Sequence, residues 1–355
     1  MNILFIRVSA IGDVVHTLPA VFLIKKTYPN ANISWVVQEK AAQLLIGQPF
    51  LDNVWVLPDK FLYPKQWHKT YEIVKEMRQT SWDAIIDFQG LFKTSFLYFW
   101  LKGPVYGFGQ KNVRERVSLL FTHKKHQPIY QNIIQKNLSL ASFVLQDVCR
   151  SIFCPTNDSI QKMCYLSFPV YSKNMVDLWL NKRSIVNYIV IAPNTTWQSK
   201  LWPESCWREL LYLLHDKNDV SVPIVLVGSA FGGQAHELAR FVEKNNFDGI
   251  FVVPSWDLLT TAYLIKKASL VLAPDTGLLH MADFLGTQAI GIFGPTKAER
   301  HGPFWVYDNK KNVFQVSCPH DYQKTHGSDT KNSCMFKLTP EMVYTRIRNC
   351  IEGIL

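Results

Sequence analysis

The chain predicts an α/β fold of two doubly wound, Rossmann-like parallel sheets in tandem. Three observations carry this. The 355 residues exceed what a single core usually organises, so two domains are expected. Short apolar, β-branched runs alternate with stretches of helical spacing, the signature of a parallel sheet with crossover helices. That alternation stops and then restarts after residue 185. With 48% hydrophobic and 19% charged residues, the chain can fill two cores and is too apolar for disorder.

In the first half, Asn2 to Val8 reads as a buried strand, followed by the loop Ser9 to Asp13 and a helix over Val14 to Lys26. Strands follow at 32–37, 54–57 and 84–87, with helices over 70–78 and from about 92. In the second half, strands are expected at 186–192, 222–227, 250–253, 270–273 and 289–293. Helices fall at 203–215, 234–245, 258–267 and 277–285, the first opened by Pro203 and Glu204, which suit a first turn. The expected division is an N-terminal domain over 1–165, a linker region over 166–185, a C-terminal domain over 186–338 and a closing helix over 339–355.

The net charge of +10 is unevenly placed. Residues 1–165 hold 19 Lys and Arg against 11 Asp and Glu, whereas residues 166–355 hold 19 against 17. The basic surplus of the first half suits an anionic partner there, and equally a solubilising surface. Seven cysteines without a CxxC pair read as reduced thiols of a cytosolic protein. Cys318, His320, His326 and Cys334 do not match a common zinc spacing and read as a plain loop. The opening residues read as a strand cut by Arg7 and Asp13, not as a leader. Thr94 to Leu101 is the nearest candidate for a span but falls short of the ~18–20 apolar residues one needs, so membrane contact would be peripheral.

Four loops at strand ends carry the chemistry. Ser9-Ala10-Ile11-Gly12-Asp13 places a glycine for a tight turn and a carboxylate at the next helix start, where a first-turn acid also suits the dipole. It is not a GxGxxG fingerprint. Asn194 to Lys200 offers Thr195, Thr196 and Lys200, two hydroxyls and an ammonium that can bind phosphate oxygens, or simply cap the next helix. Pro274 to His280 places Asp275 as a helix cap beside Thr276 and Gly277, at a helix start that suits a pyrophosphate, with His280 one turn in. The fourth loop, Asp87 to Thr94, combines a strand-end carboxylate with Gln89 and Lys93, and Arg114 and Arg116 lie in another basic loop.

Taken in order, these loops resemble glycosyltransferase family 9, the heptosyltransferases. The strings are SAIGDVVHTLPA, DFQGLFKTS, NTTWQSKLWPESCW and APDTGLLHMADFLGTQAIGIFGPT. The resemblance spans nearly the whole chain. It implies GT-B architecture, with two Rossmann-like domains facing across a cleft. It also implies a nucleotide-sugar donor (ADP-heptose) on the C-terminal domain and an anionic Kdo-lipid A acceptor on the N-terminal one. No metal, other cofactor or nucleic acid is implied, and the expected location is cytoplasmic, peripheral on the inner membrane. By motif match Asp13 would be the catalytic base of an inverting displacement. Thr195, Thr196, Lys200, Asp275, Thr276, Gly277 and His280 would hold the donor. Ser9, Gly12, Gln89, Lys93 and Arg114 would face the acceptor. Two stretches depart from the family pattern. Ser229 to Gln234 has no carboxylate where one for the ribose is usual, with Glu237 coming late. Asn132-Ile133-Ile134 stands where a His-containing motif often occurs. Two rival readings are a nucleotide- or nucleic-acid-binding protein, which would explain the basic charge but lacks an RNA-binding aromatic motif or basic helix, and a nucleotide-sugar epimerase.

Overall fold

The computed structural model describes residues 1–150, 157–216, 222–228, 232–305, 312–318 and 333–352. The sequence readings at Ser229 to Phe231, His320 and His326 lie outside the described residues. The chain divides into unit 1, Met1–Ser167, and unit 2, Phe168–Leu355.

Unit 1 runs β1 (Asn2–Ile6), α1 (Ile11–Val15), α2 (Leu18–Thr27), β2 (Asn32–Gln38), α3 (Glu39–Ala42) and β3 (Asn53–Leu57). It continues through α4 (Trp67–Met77), β4 (Ala84–Asp87), α5 (Phe92–Phe99), β5 (Val105–Phe108), β6 (Lys124–His126), α6 (Ile133–Cys149) and α7 (Asn157–Gln161). Its six strands form one sheet in the order β3-β2-β1-β4-β5-β6. All pairings are parallel; Ile3 lies opposite Ile33 on one side and Ala84 on the other. Central β1 is a continuous apolar run because helices cover both faces of such a sheet, and Ile3 to Ile6 are fully buried. The helix expected over 14–26 is broken in two. Pro19 has no N–H to bond back to Val15, where α1 ends, and α2 restarts with Pro19 in its first turn.

Unit 2 runs α8 (Val170–Asn181), β7 (Ile189–Ile191), α9 (Glu204–Asp216), β8 (Ile224–Leu226), α10 (Gly233–Asn245), β9 (Ile250–Val252) and α11 (Leu258–Lys267). Then follow β10 (Leu270–Pro274), α12 (Gly277–Leu285), β11 (Ala289–Phe293), α13 (Ala298–His301), β12 (Val313–Gln315) and α14 (Pro340–Glu352). Its strands are also all parallel, in the order β12-β11-β10-β7-β8-β9. Each sheet therefore has the doubly wound order, reversing direction beside its first strand.

Three differences from the sequence reading have plain causes. The stretch expected as a linker over 166–185 carries α8, whose Val176, Trp179 and Leu180 join the core of unit 2. The closing helix α14 is likewise part of that core: Val343, Tyr344 and Ile347 pack in one cluster with Trp202, Trp207 and Leu210. Strands β5, β6 and β12 and helix α6 are additional elements. Edge strand β6, Lys-Lys-His, has no apolar run to betray it, since an edge need not be buried. The reduced-thiol expectation is also corrected at one pair: Cys318 and Cys334 form a disulfide, with Cα atoms 5.4 Å apart. The end of β12 and the turn before α14 meet only in the folded unit, so spacing could not show the pairing.

Leu272, fully buried at the middle of β10, reports on the core of unit 2. Leu272→Ala is expected to lower the unfolding free energy by about 2–5 kcal/mol, read from the denaturant midpoint.

Candidate active site

In a doubly wound sheet, the crossovers on either side of the reversal leave in opposite directions, and ligands bind outside the strand carboxyl ends at that point. Here the reversal lies between β1 and β4 in unit 1 and between β7 and β10 in unit 2. The four loops singled out above follow these four strands.

In unit 1, Asp13 stands in the first turn of α1 with its side chain 16% exposed. Two guanidinium groups converge on its Oδ2, Arg7 at 2.7 Å and Arg114 at 3.0 Å. Both contacts are ion pairs, and Arg114 Nη2 also donates a charge-assisted hydrogen bond to Asp13. The two arginines differ in freedom: Arg7 is 2% exposed and Arg114 42%. Burial pushes the Arg7 pKa down from the usual arginine value, and neighbouring Asp13 pushes it back up. Arg7 also donates through Nη1 to the carbonyl of Phe88, so it pins the loop after β1 to the loop after β4. The Ser9–Ala10 peptide is cis.

Gln89 makes the second pin. Its Oε1 accepts from the Val8 N–H at 3.1 Å and the Ser9 N–H at 3.5 Å. Asp87 in turn shapes the Gln89 loop: its Oδ1 accepts from the N–H groups of Gln89 and Gly90, at 2.8 and 3.1 Å. Tyr98 and Thr94 donate to its Oδ2. Burial raises the Asp87 pKa, with these donors opposing. Gly90 has φ +64°, and a Cβ there would meet Val113 at 3.0 Å, so the turn needs glycine. Gly12, by contrast, is the second residue of α1 and is not in the left-handed region.

In unit 2, buried Asp275 is the hub. Lys200 Nζ and Thr296 Oγ1 approach its Oδ2 at 2.6 and 2.7 Å, and His280 Nε2 lies 3.0 Å from its Oδ1. Thr195 Oγ1 donates to its carbonyl at 3.1 Å. Burial works against the charge on Asp275, but His280 and Lys200 outweigh it and hold the carboxyl far below the usual carboxylate range. The expectation that Asp275 caps α12 is corrected: the N-cap is Thr276, and among the described residues no side chain caps the first turn. The Asp275 carboxylate is drawn to three polar partners instead. Asn194 braces the neighbouring loop. Its Nδ2 donates to the carbonyls of Gly228 and Gly232, and its Oδ1 accepts from the Ala235 N–H at the start of α10.

The structure thus brings Asp13, Arg114, Ser9 and Gln89 together in unit 1. Lys93 is the second residue of α5. In unit 2 it brings together Thr195, Lys200, Asp275 and His280, with Thr276 and Gly277 at the start of α12. Thr196 is exposed on the same loop as Thr195. His280 is oriented to Asp275, not outward. Arg7, Thr296 and Asn194 were not anticipated. Arg7 had a signal, an arginine at the end of a buried strand; Thr296 closes the last of the four motif strings, but its reach to Asp275 from the loop after β11 was not legible there. Asn132 caps α6, accepting from Ile134 N–H at 2.9 Å, which gives that departure a structural role.

Two Rossmann-type units, one presenting a carboxylate ion-paired to two arginines and the other a carboxylate bound by Lys200, Thr296 and His280 beside a helix start, make this an α/β protein of two doubly wound parallel sheets. The model of the family "Glycosyltransferase family 9 (heptosyltransferase)" matches residues 70–332, and the chain belongs to that family. Lipopolysaccharide heptosyltransferase 1 of Pseudomonas aeruginosa is 26% identical over 316 residues, covering 83% of this chain and 79% of the relative. Its counterpart from Escherichia coli K12 is 27% identical over 310 residues, covering 83% and 88%. The solved structure of E. coli heptosyltransferase WaaC with ADP superposes with a TM-score of 0.75 at 25% identity, over 99% of this chain and 100% of that one. A family 9 glycosyltransferase from Veillonella parvula shares the fold, with a TM-score of 0.77 at 15% identity over 99% and 97% of the two chains. The expected two-sheet Rossmann-like fold is borne out.

The depressed pKa of Asp275 fixes a pH dependence. Its carboxyl stays ionised in the fold where the unfolded chain, near pH ~4, takes up a proton. Its contribution is therefore present above pH ~4 and is lost as pH falls below it. Denaturant midpoints from pH 6 to 3 are expected to fall steeply for the wild-type chain and less steeply for Asp275→Asn.

Proposed function

We propose that the chain transfers a heptose from ADP-heptose to the Kdo region of a lipid A-type acceptor, working at the cytoplasmic face of the inner membrane. The observation that carries the mechanism is the Asp13 carboxylate held at the β1–β4 reversal by one buried and one exposed arginine. The names of the relatives, and ADP in the similar solved structure, support the sugar and nucleotide.

In this reading unit 2 receives the donor diphosphate and unit 1 supplies the base. Asp13 takes the proton from the acceptor hydroxyl as its oxygen bonds to the anomeric carbon. The bond from that carbon to the diphosphate oxygen breaks, and ADP leaves with the negative charge, giving inversion through an oxocarbenium-like transition state. Lys200 and the start of α12 stabilise the departing charge. Arg7 keeps Asp13 aimed. Exposed Arg114 can turn to an acidic group of the acceptor, which lessens the positive charge beside the Asp13 carboxylate as it takes the proton. Lys93, at a helix start, adds a positive site for the same acceptor.

Asp13→Ala is expected to lower transfer by about 10²–10⁴-fold while calorimetry finds ADP affinity unchanged. Near-normal turnover in that variant would falsify the base assignment. Lys200→Ala is expected to weaken ADP binding severalfold; equal affinity removes Lys200 from the donor site. Incubation with donor alone should give no epimerised sugar, and an epimer in the products would favour the epimerase reading.

A further inference from the structure

Helix α5 departs from the rule that a surface helix keeps charged or polar residues outward. Its exposed positions, with the C-cap Trp100, are Phe92, Phe96, Phe99 and Trp100, and all are aromatic. The buried side is separately accounted for: Leu97 and Tyr98 pack on the sheet with Val74 and Met77 of α4. The rings touch in a chain. Phe96 lies against Trp100 and Trp100 against Phe99, with centroids 6.5 and 5.1 Å apart. Phe121 bridges Phe99 to Phe92 at 5.7 and 6.4 Å. Just before Phe121, Leu120 is 82% exposed.

A groove of about 430 Å³ opens between α4 and α5, floored by Phe61 and Val74 and walled by Trp67, Tyr71, Phe96 and Trp100. Two basic side chains, Lys75 and Arg78, line it directly, Lys75 also pairing with Glu72 at 3.6 Å along the exposed side of α4. From Lys60 to Lys102 the chain has seven Lys and Arg against four Asp and Glu, and one of those acids, Asp87, is buried. Clustered Trp, Tyr and Phe beside basic side chains are the chemistry of the bilayer interface, where rings sit at headgroup depth and cations meet anionic lipid. The strip also adjoins the base-bearing loop. The N–H of Phe92 donates to Glu115 at 2.7 Å, next in sequence to Arg114, which holds Asp13. Among the described residues no helix is long and apolar enough to cross a membrane.

We propose that the α4–α5 face of unit 1 docks on the surface of an anionic phospholipid bilayer, with Phe96, Phe99 and Trp100 entering the interface and Lys75 and Arg78 meeting phosphate headgroups. This deepens the peripheral-membrane part of the function above. It does not need the sugar chemistry, because docking is measured without donor or acceptor.

The test is flotation of the full chain with vesicles of phosphatidylglycerol and phosphatidylethanolamine, against phosphatidylcholine alone. The wild-type chain is expected to float with the anionic vesicles and to release as salt rises. Phe96→Ser/Phe99→Ser/Trp100→Ser should reduce the bound fraction about tenfold or more, with an unchanged circular dichroism spectrum. Lys75→Glu/Arg78→Glu should do the same by charge alone. Wild-type flotation retained by both variants overturns the proposal. So does flotation only when the vesicles carry a Kdo-lipid, which assigns the groove to the acceptor. A wild-type dimer in light scattering that the aromatic variant dissolves also overturns it, by showing that a second copy covers the face. Loss of transfer activity with intact flotation would count against the proposed reaction and leave the docking face standing.

Discussion

Where a parallel sheet reverses its winding, two neighbouring strands send their crossovers to opposite faces, and the loops between them lose the cover of a helix. Backbone groups and polar side chains in that gap must find each other or a ligand. Both sheets of this chain solve the problem in the same way, by hydrogen bonds that run from one reversal loop to the other. In unit 1 Arg7 and Gln89 make the crossing; in unit 2 Thr195 and Lys200 reach Asp275. The functional side chains are held in place by this stitching.

In the proposed reaction each unit serves one half of a group transfer. An acid flanked by arginines would keep a carboxylate ready while attracting an anionic acceptor. An ion-paired lysine beside a helix start would receive a diphosphate with little rearrangement of the backbone. Both arrangements depend on burial: Arg7 and Asp275 would interact far more weakly with their partners in water. The same burial makes them costly to disrupt singly, because a lost partner leaves a buried charge behind.

The aromatic strip on α5 shows why a surface is harder to read than a core. In sequence, TSFLYFW looks like a short apolar helix with an inner and an outer side of unknown assignment. Only the packing of Leu97 and Tyr98 inward leaves Phe96, Phe99 and Trp100 facing out. Composition pointed to a basic N-terminal half; folding places part of that charge around a groove.

Periodicity and strand-end punctuation determined most of the architecture: β1 to β4, β7 to β11 and the principal crossover helices fall close to where apolar runs and glycine or proline breaks put them. Motif order likewise marked the loops after β1, β4, β7 and β10. What the sequence could not decide was direction. Asp275 turns inward to Lys200, His280 and Thr296 instead of capping α12, because an ion pair and two further polar contacts together hold a carboxylate more strongly than a helix start does. The polar edge strand β6, the Cys318–Cys334 pairing and the partnership of Arg7 with Asp13 were equally beyond it. Local propensity acts over a few neighbouring residues, whereas these contacts join segments that only the closed sheet brings within hydrogen-bond distance.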